Sequence, residues 1–331
     1  MGRHLASVLG LVAGVMTVMW LTGFPLVGQS RAAAGKKSAP GQWAPLQTPW
    51  GDPDLQGIWS YATITPLERP TENAGREFLT VEEADALNSL AATRADRRDA
   101  DPRADVEAAY NAFWWDRGKS TGRTSLIVDP PSGRLPPLTP EGERRRAAAA
   151  AYRRAHPADS YEDRPLQERC IIYHGVPPLP TGYNNNYQIF QTPGFVTILD
   201  ENIHDARVIP LDGRPHLPPN VRHWNGDSRG HWEGPTLVVE TTNYSPKTTL
   251  RFPVAPETLR AVERFTRVAA GSIDYRFTID DSTTYTRAWT VALPLTAIDG
   301  PIYEYACHEG NYGLAHVLAG ARAQDREAGG R

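Results

Sequence analysis

The chain has 331 residues, a formal net charge of −3 and 22% charged residues. This composition excludes a disordered chain and a protein that lies in a membrane throughout. The negative net charge gives no indication of a positively charged surface that would bind nucleic acid. Proline (29) and glycine (28) together exceed one residue in six, which favours many turns and short strands over long helices.

Residues 1–34 have the pattern of a secretory signal peptide. A short polar start precedes an uncharged stretch over residues 5–27, and alanines at 32–34 supply the small residues that signal peptidase requires. We therefore expect cleavage before Gly35 and a periplasmic or secreted mature protein without a stable membrane span. The alternative is an uncleaved anchor, because the apolar run is long enough to cross a bilayer.

The two cysteines, Cys170 and Cys307, both lie in the part of the chain that would be exported. An even number of cysteines in an oxidising compartment favours one disulfide. The alternative is a nucleophilic Cys307, because His308 follows it directly. Adjacent residues of a strand point to opposite faces, however, so His308 would be badly placed to activate the thiol. We therefore predict a disulfide between Cys170 and Cys307.

The segment after the signal combines a linker with a region of mixed strand and helix. Residues 35–56 are rich in proline and glycine and show no periodicity, which indicates a linker. A first strand begins near Gly57, and another strand is predicted over residues 124–128 ahead of a proline-rich turn. We assign residues 57–165 to this first strand together with a helical elaboration.

Two helices are predicted within that elaboration. Thr80 and Glu83 have the spacing of a capping box ahead of an alanine- and leucine-rich run that extends to about residue 98. Thr139 is placed to cap a second helix that starts at Pro140. The arginines of this second helix suit an anionic partner or, as the simpler interpretation, a solvated face.

Residues 166–318 show the pattern of an antiparallel β domain, and residues 319–331 are predicted as a flexible tail. Apolar and polar residues alternate with a period of two over residues 273–279, which is typical of a half-buried strand. Further strands are predicted over residues 187–191, 195–199, 207–210, 236–242, 262–268, 285–293 and 301–306.

Eight or more short strands without βαβ spacing indicate an antiparallel meander, either closed as a barrel or stacked as a sandwich. Closure removes exposed sheet edges. We therefore predict a mainly β fold, an antiparallel meander that forms a lipocalin-like barrel with a small helical elaboration. Charged residues on the strands are expected to form ladders on the outer surface rather than to line a polar lumen. These residues are Arg264, Arg276, Arg287, Glu240 and Glu263.

Several motifs resemble an uncharacterised family of secreted proteins from soil and environmental bacteria. The motifs are PDLQGIW at residues 53–59, IPLDGRPHLP at residues 209–218, GDSRGHWEG at residues 226–234 and ACHEGNY at residues 306–312. The resemblance extends over nearly all of the mature chain and implies export and a shared fold. It implies no particular reaction. The histidines that lie within matching segments are His204, His216 and His308.

Histidines and carboxylates concentrate in predicted loops, where a scaffold holds binding residues and leaves them exposed. Histidine titrates near neutrality and can transfer protons when a carboxylate fixes its tautomer. Arg207 or Arg214 would hold an anionic group of a ligand. The ordinary alternative is that these loop residues form turns and cap backbone groups. The candidate acid–base residues are His204, Asp205, His216, His308 and Glu309.

A metal site is a narrower alternative, in which His204, His216 and His308 supply three nitrogen ligands and leave one position for water. The sequence lacks the HExxH motif and closely spaced histidine pairs. His204 and His216 also flank a predicted strand whose ends lie about 13–17 Å apart. We therefore predict an acid–base site without metal, in which His216 and His308 approach the same cavity; the sequence does not tell which cofactor, if any, the protein binds.

The asparagines Asn184, Asn185 and Asn186 offer amide groups to a polar ligand, although asparagine also suits turns. The sequence contains no nucleophile elbow, phosphate-binding loop or dinucleotide-binding motif. Two functions fit these observations. One is an exported enzyme that acts on a small polar or anionic compound through loop His, Glu and Asp groups. The other is a non-catalytic β-barrel that binds a small molecule.

Overall fold

The structure is a computed structural model that describes residues 44–95, 115–116, 118–203 and 205–329. The predicted export signal lies outside the described residues, as do residues 35–43 of the predicted linker, the end of the first predicted helix and His204. None of the described helices is long and apolar enough to cross a membrane.

The described residues form eleven β-strands and three α-helices, numbered here in chain order. The strands are β1 Gly57–Ser60, β2 Ile127–Asp129, β3 Asn186–Thr192, β4 Phe195–Asp200, β5 Ala206–Pro210, β6 Asp227–Glu233, β7 Thr236–Thr242, β8 Arg260–Ala269, β9 Ser272–Asp280, β10 Trp289–Ala292 and β11 Leu295–Ala297. The helices are α1 Val81–Ala95, α2 Pro140–Ala155 and α3 Gly313–Gly329.

All eleven strands belong to one antiparallel sheet that curls into a nearly closed barrel. Neighbouring strands follow the order β5-β4-β3-β1-β11-β9-β8-β7-β6, and β10 pairs with both β9 and β2. Strands β5 and β6, at the two ends of this order, lie side by side. The predicted barrel with a small helical elaboration is therefore confirmed.

A glycine on β6 permits the close approach of β5 and β6. A Cβ atom on Gly230 would lie 2.9 Å from Ile209 Cγ2 and 2.7 Å from Leu211 Cδ2. Real Cβ atoms rarely approach other atoms this closely, so a larger residue would push the two strands apart. The sequence therefore meets the requirement for closure at the seam of the barrel.

The inward face of the sheet is a filled apolar core. On β9, Ile273, Tyr275, Phe277 and Ile279 are all buried, which confirms the predicted period of two. Large aromatic side chains fill the interior rather than leaving it open to solvent. The largest of them are Trp59, Trp289, Tyr61, Tyr187 and Tyr244.

One charged residue lies inside the barrel, where a surface position was expected. Glu263 is fully buried on β8, because it lies two residues from the inward-facing Ala261 and Phe265 and therefore points to the same face. The prediction that Glu263 joins a surface ladder is therefore wrong. The period of two along the strand makes Glu263 point into the barrel. Its burial is possible because Arg207 on β5 supplies a positive charge there.

Both sequence-predicted helix starts are confirmed. The Glu83 N–H donates to Thr80 Oγ1 at 3.2 Å and the Thr80 N–H donates to Glu83 Oε2 at 2.8 Å, which completes the capping box. At the start of α2, Thr139 Oγ1 accepts from the Gly142 N–H at 3.0 Å, and Pro140 is the first helical residue.

The strands of the structure differ from the predicted ones at three places. Strands β6 and β11 were not predicted, because β6 carries a mostly polar motif and β11 spans only three residues. The strand predicted over residues 301–306 is wrong, since this segment has no strand structure. None of residues 301–306 is buried, so the alternation of apolar and polar residues there does not correspond to an inward face of the sheet.

The end of the chain is joined to the rest by a disulfide and by hydrogen bonds. Cys170 and Cys307 form the predicted disulfide, which links positions 137 residues apart. Helix α3 includes much of the predicted tail and buries none of its residues. From α3, Arg322 donates to the carbonyls of Ala158 and Asp159 at 3.0 and 2.7 Å.

Candidate functional site

One end of the barrel gathers polar residues around a buried histidine. Strand β3 begins and β4 ends here, because Tyr187 is paired with Asp200. The chain before β3 brings His174 and Thr181 to the same place, where both contact this end of the sheet through side-chain hydrogen bonds. Local strand pairing therefore assembles residues from three separate segments.

The His174 imidazole is fully buried and contacts three polar side chains. Its Nε2 lies 3.0 Å from Thr181 Oγ1. Its Nδ1 lies 2.7 Å from the Tyr61 hydroxyl and 3.2 Å from Asp200 Oδ1. The ring stacks on Tyr173 at 5.0 Å between centroids and meets the edge of Tyr61 at 5.5 Å. These contacts fix the orientation of the imidazole.

The carboxylate of Asp200 favours one tautomer of His174. A proton on Nδ1 can be donated to Asp200 or to the Tyr61 oxygen, whereas a lone pair on Nδ1 would face the Asp200 charge. We therefore assign the proton to Nδ1, which leaves Nε2 to accept a hydrogen bond from Thr181. The order hydroxyl, imidazole, carboxylate is the arrangement that activates a nucleophile in hydrolases.

The Thr181 hydroxyl has other acceptors within reach. Its Oγ1 lies 2.9 Å from the Tyr183 carbonyl and 3.4 Å from Asn185 Oδ1, so its hydrogen can rotate among these acceptors and His174. Asn185 also fixes the Thr181 backbone, accepting from its N–H at 2.7 Å and donating to its carbonyl at 3.0 Å. Asn185 is buried, and in this structure it positions Thr181.

Two further asparagines contact a buried carboxylate beside Asp200. Asn186 Nδ2 donates to Glu201 Oε2 at 2.6 Å. Burial raises the pKa of Glu201, and hydrogen bonds from Asn186 and Asn184 offset part of this rise. Within the described residues, both side-chain polar atoms of the buried Asn202 lack a hydrogen-bond partner, as does Asn186 Oδ1. This end of the barrel therefore retains unused hydrogen-bonding capacity.

Two tyrosines near His174 keep their protons at all physiological pH values. Burial, reinforced by the charge of Asp200, raises the pKa of Tyr61 well above its usual value of about 10. The same two causes raise the pKa of Tyr187. Tyr61 therefore stays a neutral hydroxyl, whose oxygen accepts from the protonated His174 Nδ1 at 2.7 Å, and it is not a base.

A cleft of about 470 Å³ adjoins Thr181, and we call it the Thr181 cleft. Leu87 and Leu90 from α1 form an apolar wall, and both side chains are exposed. Trp115 adds an aromatic surface, and Arg251 adds a positive charge. The cleft therefore combines a hydroxyl, apolar walls and one cation, which suits a small organic anion.

Inside the barrel, Arg207 on β5 forms an ion pair with Glu263 on β8. The Arg207 side chain is 9% exposed and the Glu263 side chain is fully buried. One guanidinium nitrogen donates to Glu263 Oε1 at 3.1 Å, and the Tyr275 hydroxyl donates to the same oxygen at 2.8 Å. Burial lowers the pKa of Arg207, but the charge of Glu263 outweighs it and raises the pKa overall. The structure places this predicted ligand-binding arginine in a structural pair.

His216 lies in a second polar cluster, on β6 and β7. Its Nδ1 is 2.8 Å from Asp227 Oδ2, and its Nε2 is 3.4 Å from Glu240 Oε1. Asp227 also accepts from the Leu217 N–H at 3.0 Å and from Arg229 at 2.6 Å. These bonds attach the loop before β6 to the outside of the barrel.

Asp227 is expected to make the free energy of unfolding depend on pH in the acidic range. Burial raises its pKa, but hydrogen bonds from Leu217 and His216 and the charge of Arg229 outweigh this and hold the pKa below its usual value. A lowered folded-state pKa contributes stability above the unfolded pKa of about 3.9 and loses it as the pH falls through the folded value.

We expect Asp227→Asn to lower the free energy of unfolding by about 1–2 kcal/mol at pH 7, because it removes charged hydrogen bonds. Urea unfolding of both proteins at pH 7 and pH 3 measures this. The difference between the proteins should be smaller at pH 3, because the unfolded wild-type carboxyl is protonated there and the charged form therefore stabilises the folded state less. A difference that does not change with pH would contradict this role for Asp227.

The remaining sequence-predicted residues lie on the surface. Arg214 is exposed and pairs with Asp212. Asp205 is exposed at the start of β5 and accepts from Asn225. His308 and Glu309 are exposed in a turn beside the disulfide. The structure thus brings Asn184 and its two neighbours to the His174 end of the barrel, and it gives His216 and His308 different immediate surroundings.

No group of three or more His, Cys, Asp or Glu side chains is placed to hold a metal ion in the part of the chain that the structure describes. His204 lies outside that part, so the three-histidine metal site stays a prediction. A shared cavity for His216 and His308 also stays a prediction.

The sequence patterns did not single out Tyr61, His174, Thr181 and Asp200. His174 has no adjacent carboxylate, and its partners lie 113 residues earlier and 26 residues later in the chain. One signal was available, since a histidine in an otherwise apolar and proline-rich stretch is expected to be buried and hydrogen-bonded. Its partners depend on strand pairing, which sequence spacing does not reveal.

Comparison of the chain with family models, curated proteins and solved structures gave no match.

Proposed function

We propose that the protein is an exported hydrolase that acts on a small ester carrying an anionic group. The proposal rests on two consecutive contacts of the His174 ring. Its Nε2 lies 3.0 Å from Thr181 Oγ1, and its Nδ1 lies 3.2 Å from Asp200 Oδ1. Export is supported by the disulfide, since disulfides persist in oxidising compartments.

The residues have distinct roles in this proposal. Thr181 Oγ1 attacks the carbonyl carbon of the ester, and His174 Nε2 accepts the hydroxyl proton. The same nitrogen then donates this proton to the departing alcohol. Asp200 holds the imidazole tautomer and stabilises its positive charge. Water, which gives a proton to His174 Nε2, then attacks the acyl carbon; the bond from that carbon to Thr181 Oγ1 breaks, the carboxylic acid leaves, and Nε2 returns the proton to Oγ1.

Arg251 would determine the preference for an anionic substrate. It is exposed and lines the Thr181 cleft, and its guanidinium lies 6.0 Å from the centroid of the Tyr173 ring. A guanidinium can bind a carboxylate through two parallel hydrogen bonds. Leu87, Leu90 and Trp115 would contact the apolar part of the substrate.

The test compares hydrolysis of mono-4-nitrophenyl succinate, which carries a carboxylate, with hydrolysis of the neutral 4-nitrophenyl acetate. We expect Thr181→Val to lower kcat/KM at least about 100-fold for both esters, because it removes the hydroxyl nucleophile from which His174 accepts a proton. Thr181→Ser is the matched control, since it keeps a hydroxyl, and it should retain activity within about tenfold.

Arg251→Gln should lower kcat/KM about tenfold for the succinate ester and leave the acetate ester unchanged, because one charged hydrogen bond is worth about 1.5–3 kcal/mol. Circular dichroism and thermal melting of each variant establish that it is folded. Wild-type activity in Thr181→Val would contradict the proposal, and so would equal effects of Arg251→Gln on the two esters.

The second candidate function is a non-catalytic small-molecule-binding barrel. One observation favours it: the Tyr183 carbonyl, 2.9 Å from Thr181 Oγ1, competes with His174 for the hydroxyl hydrogen. Because side chains fill the barrel interior, the ligand would then bind in the Thr181 cleft. Quenching of tryptophan fluorescence by monomethyl succinate, without hydrolysis of either nitrophenyl ester, would support this function over the hydrolase.

A further inference from the structure

Helix α2 lies over a groove that shares only Arg251 with the Thr181 cleft. Gly142 is its only buried residue, and a Cβ there would lie 2.5 Å from the Thr284 carbonyl, so its start is in close contact with the barrel. Near its other end, the Tyr152 hydroxyl donates to Asp163 at 2.8 Å. Between these contacts lie two adjoining cavities of about 440 and 1010 Å³, which share Ala149 and Arg153. We call them together the α2 groove.

The α2 groove is rich in positive charge although the chain has a net charge of −3. Seven cationic side chains line it, against three carboxylates. Four of the cations have a carboxylate partner. These pairs are Arg145–Glu257, Arg146–Glu143, Arg164–Glu168 and Lys247–Glu162.

The other three cations, Arg153, Arg169 and Arg251, form no ion pair with any described residue. Arg169 lies over the Tyr161 ring at 5.3 Å and Arg251 over the Tyr173 ring at 6.0 Å. A guanidinium on an aromatic face keeps its planar edge available for a carboxylate. The groove therefore presents several separate anion-binding positions along its length.

The remaining lining restricts the chemistry of the occupant. Ala149 and Leu166 give apolar walls, and the Tyr152 side chain is 55% exposed, which leaves a flat aromatic surface. Asp159 and Glu162 accept hydrogen bonds and repel anions. A ligand must therefore offer negative groups at the arginines, hydroxyl donors at the carboxylates and an apolar face to the aromatic ring.

We propose that the α2 groove binds an acidic oligosaccharide, a chain of sugar units that carry carboxylates. Each uronic acid unit combines a carboxylate, hydroxyl donors and a flat C–H face, which matches the three kinds of surface in the groove. A polyphosphate offers only acceptors and would face the charges of Asp159 and Glu162. The combined size of the two cavities suits several sugar units rather than a single small anion.

The test measures binding of trigalacturonate to the full chain by titration calorimetry at about 0.15 M ionic strength. We expect the double variant Arg153→Gln/Arg169→Gln to bind at least about tenfold more weakly, because two charged hydrogen-bonding groups are lost. The matched control is Arg144→Gln/Arg154→Gln. It makes the same change in net charge at two α2 residues that do not line the groove, and it should bind within about twofold of the wild type.

Four results would overturn the proposal. These are no binding of trigalacturonate to the wild type, an equal loss in both double variants, equal binding of the neutral trigalactose, and tighter binding of polyphosphate or of an oligoglutamate peptide. None of the variants changes Thr181 or Arg251. The outcome is therefore independent of ester hydrolysis in the Thr181 cleft, and either proposal can fail while the other stands.

Discussion

Replacing Glu263 by leucine is expected to lower the free energy of unfolding by about 3–5 kcal/mol, because it leaves the charge of Arg207 buried without a partner. The two residues lie on β8 and β5 and face each other inside the barrel. Tyr275, which donates to Glu263 at 2.8 Å, would lose its acceptor as well. Removal of one member of a buried pair costs far more than the pair contributes.

The double variant Arg207→Met/Glu263→Leu provides the sharper comparison. It replaces both charges by apolar groups of similar volume, so it should recover most of the stability that Glu263→Leu loses. Arg264→Met is the matched surface control. Arg264 is the next residue on β8 and pairs with Glu233 outside the barrel, so its replacement should cost less than about 1 kcal/mol.

Urea unfolding followed by circular dichroism measures all of these variants. A loss of less than about 1 kcal/mol in Glu263→Leu would contradict burial of the pair inside the barrel. A double variant as unstable as the single one would show that the cost comes from packing rather than from the unpaired charge.

Removal of the disulfide, in Cys170→Ala/Cys307→Ala, is expected to lower the free energy of unfolding by about 4–5 kcal/mol. The bridge closes a loop with a sequence separation of 137 residues, so it strongly restricts the unfolded chain. The disulfide also holds the irregular segment before α3, which itself buries none of its residues.

Two measurements separate these effects. Urea unfolding of the oxidised protein and of the variant gives the change in global stability. Hydrogen exchange of α3 shows whether the end of the chain detaches locally, since segments with few buried contacts open first. Stability within about 1 kcal/mol of the wild type, together with unchanged exchange in α3, would contradict a stabilising role for the bridge.

Much of the fold could be predicted because local patterns determine it. The alternation over residues 273–279 predicted β9, and Thr80 and Thr139 predicted the starts of α1 and α2. The two cysteines predicted their own bridge, because their number is even and the sequence predicts export to an oxidising compartment. Each of these features depends on residues that are close in sequence or on a count of residue types.

The candidate site was harder to predict because it depends on long-range pairing. His174 meets Tyr61 only because β1 pairs with β3, and it meets Asp200 only because β3 pairs with β4. Glu263 was expected outside the barrel, since a charged residue on a strand is usually solvated. Its charge can be buried only because Arg207 on β5 forms an ion pair with it inside the barrel, and no local sequence pattern indicates that contact.

Covalent labelling shows whether His174 activates the Thr181 hydroxyl. An alkyl fluorophosphonate reacts with activated hydroxyl groups and leaves a stable phosphonate ester. Mass spectrometry of the labelled and digested protein locates the modified residue. Thr181→Val and Asp200→Asn are the variants to compare, because the first removes the nucleophile and the second disturbs the tautomer that activates it.

If His174 activates the Thr181 hydroxyl, we expect a single adduct, on the peptide that carries Thr181. The adduct should be absent in Thr181→Val and should form at least about 100-fold more slowly in Asp200→Asn, since the wrong histidine tautomer slows this chemistry strongly. An unmodified wild-type protein, or an adduct on another residue that persists in Thr181→Val, would contradict activation of Thr181 by His174.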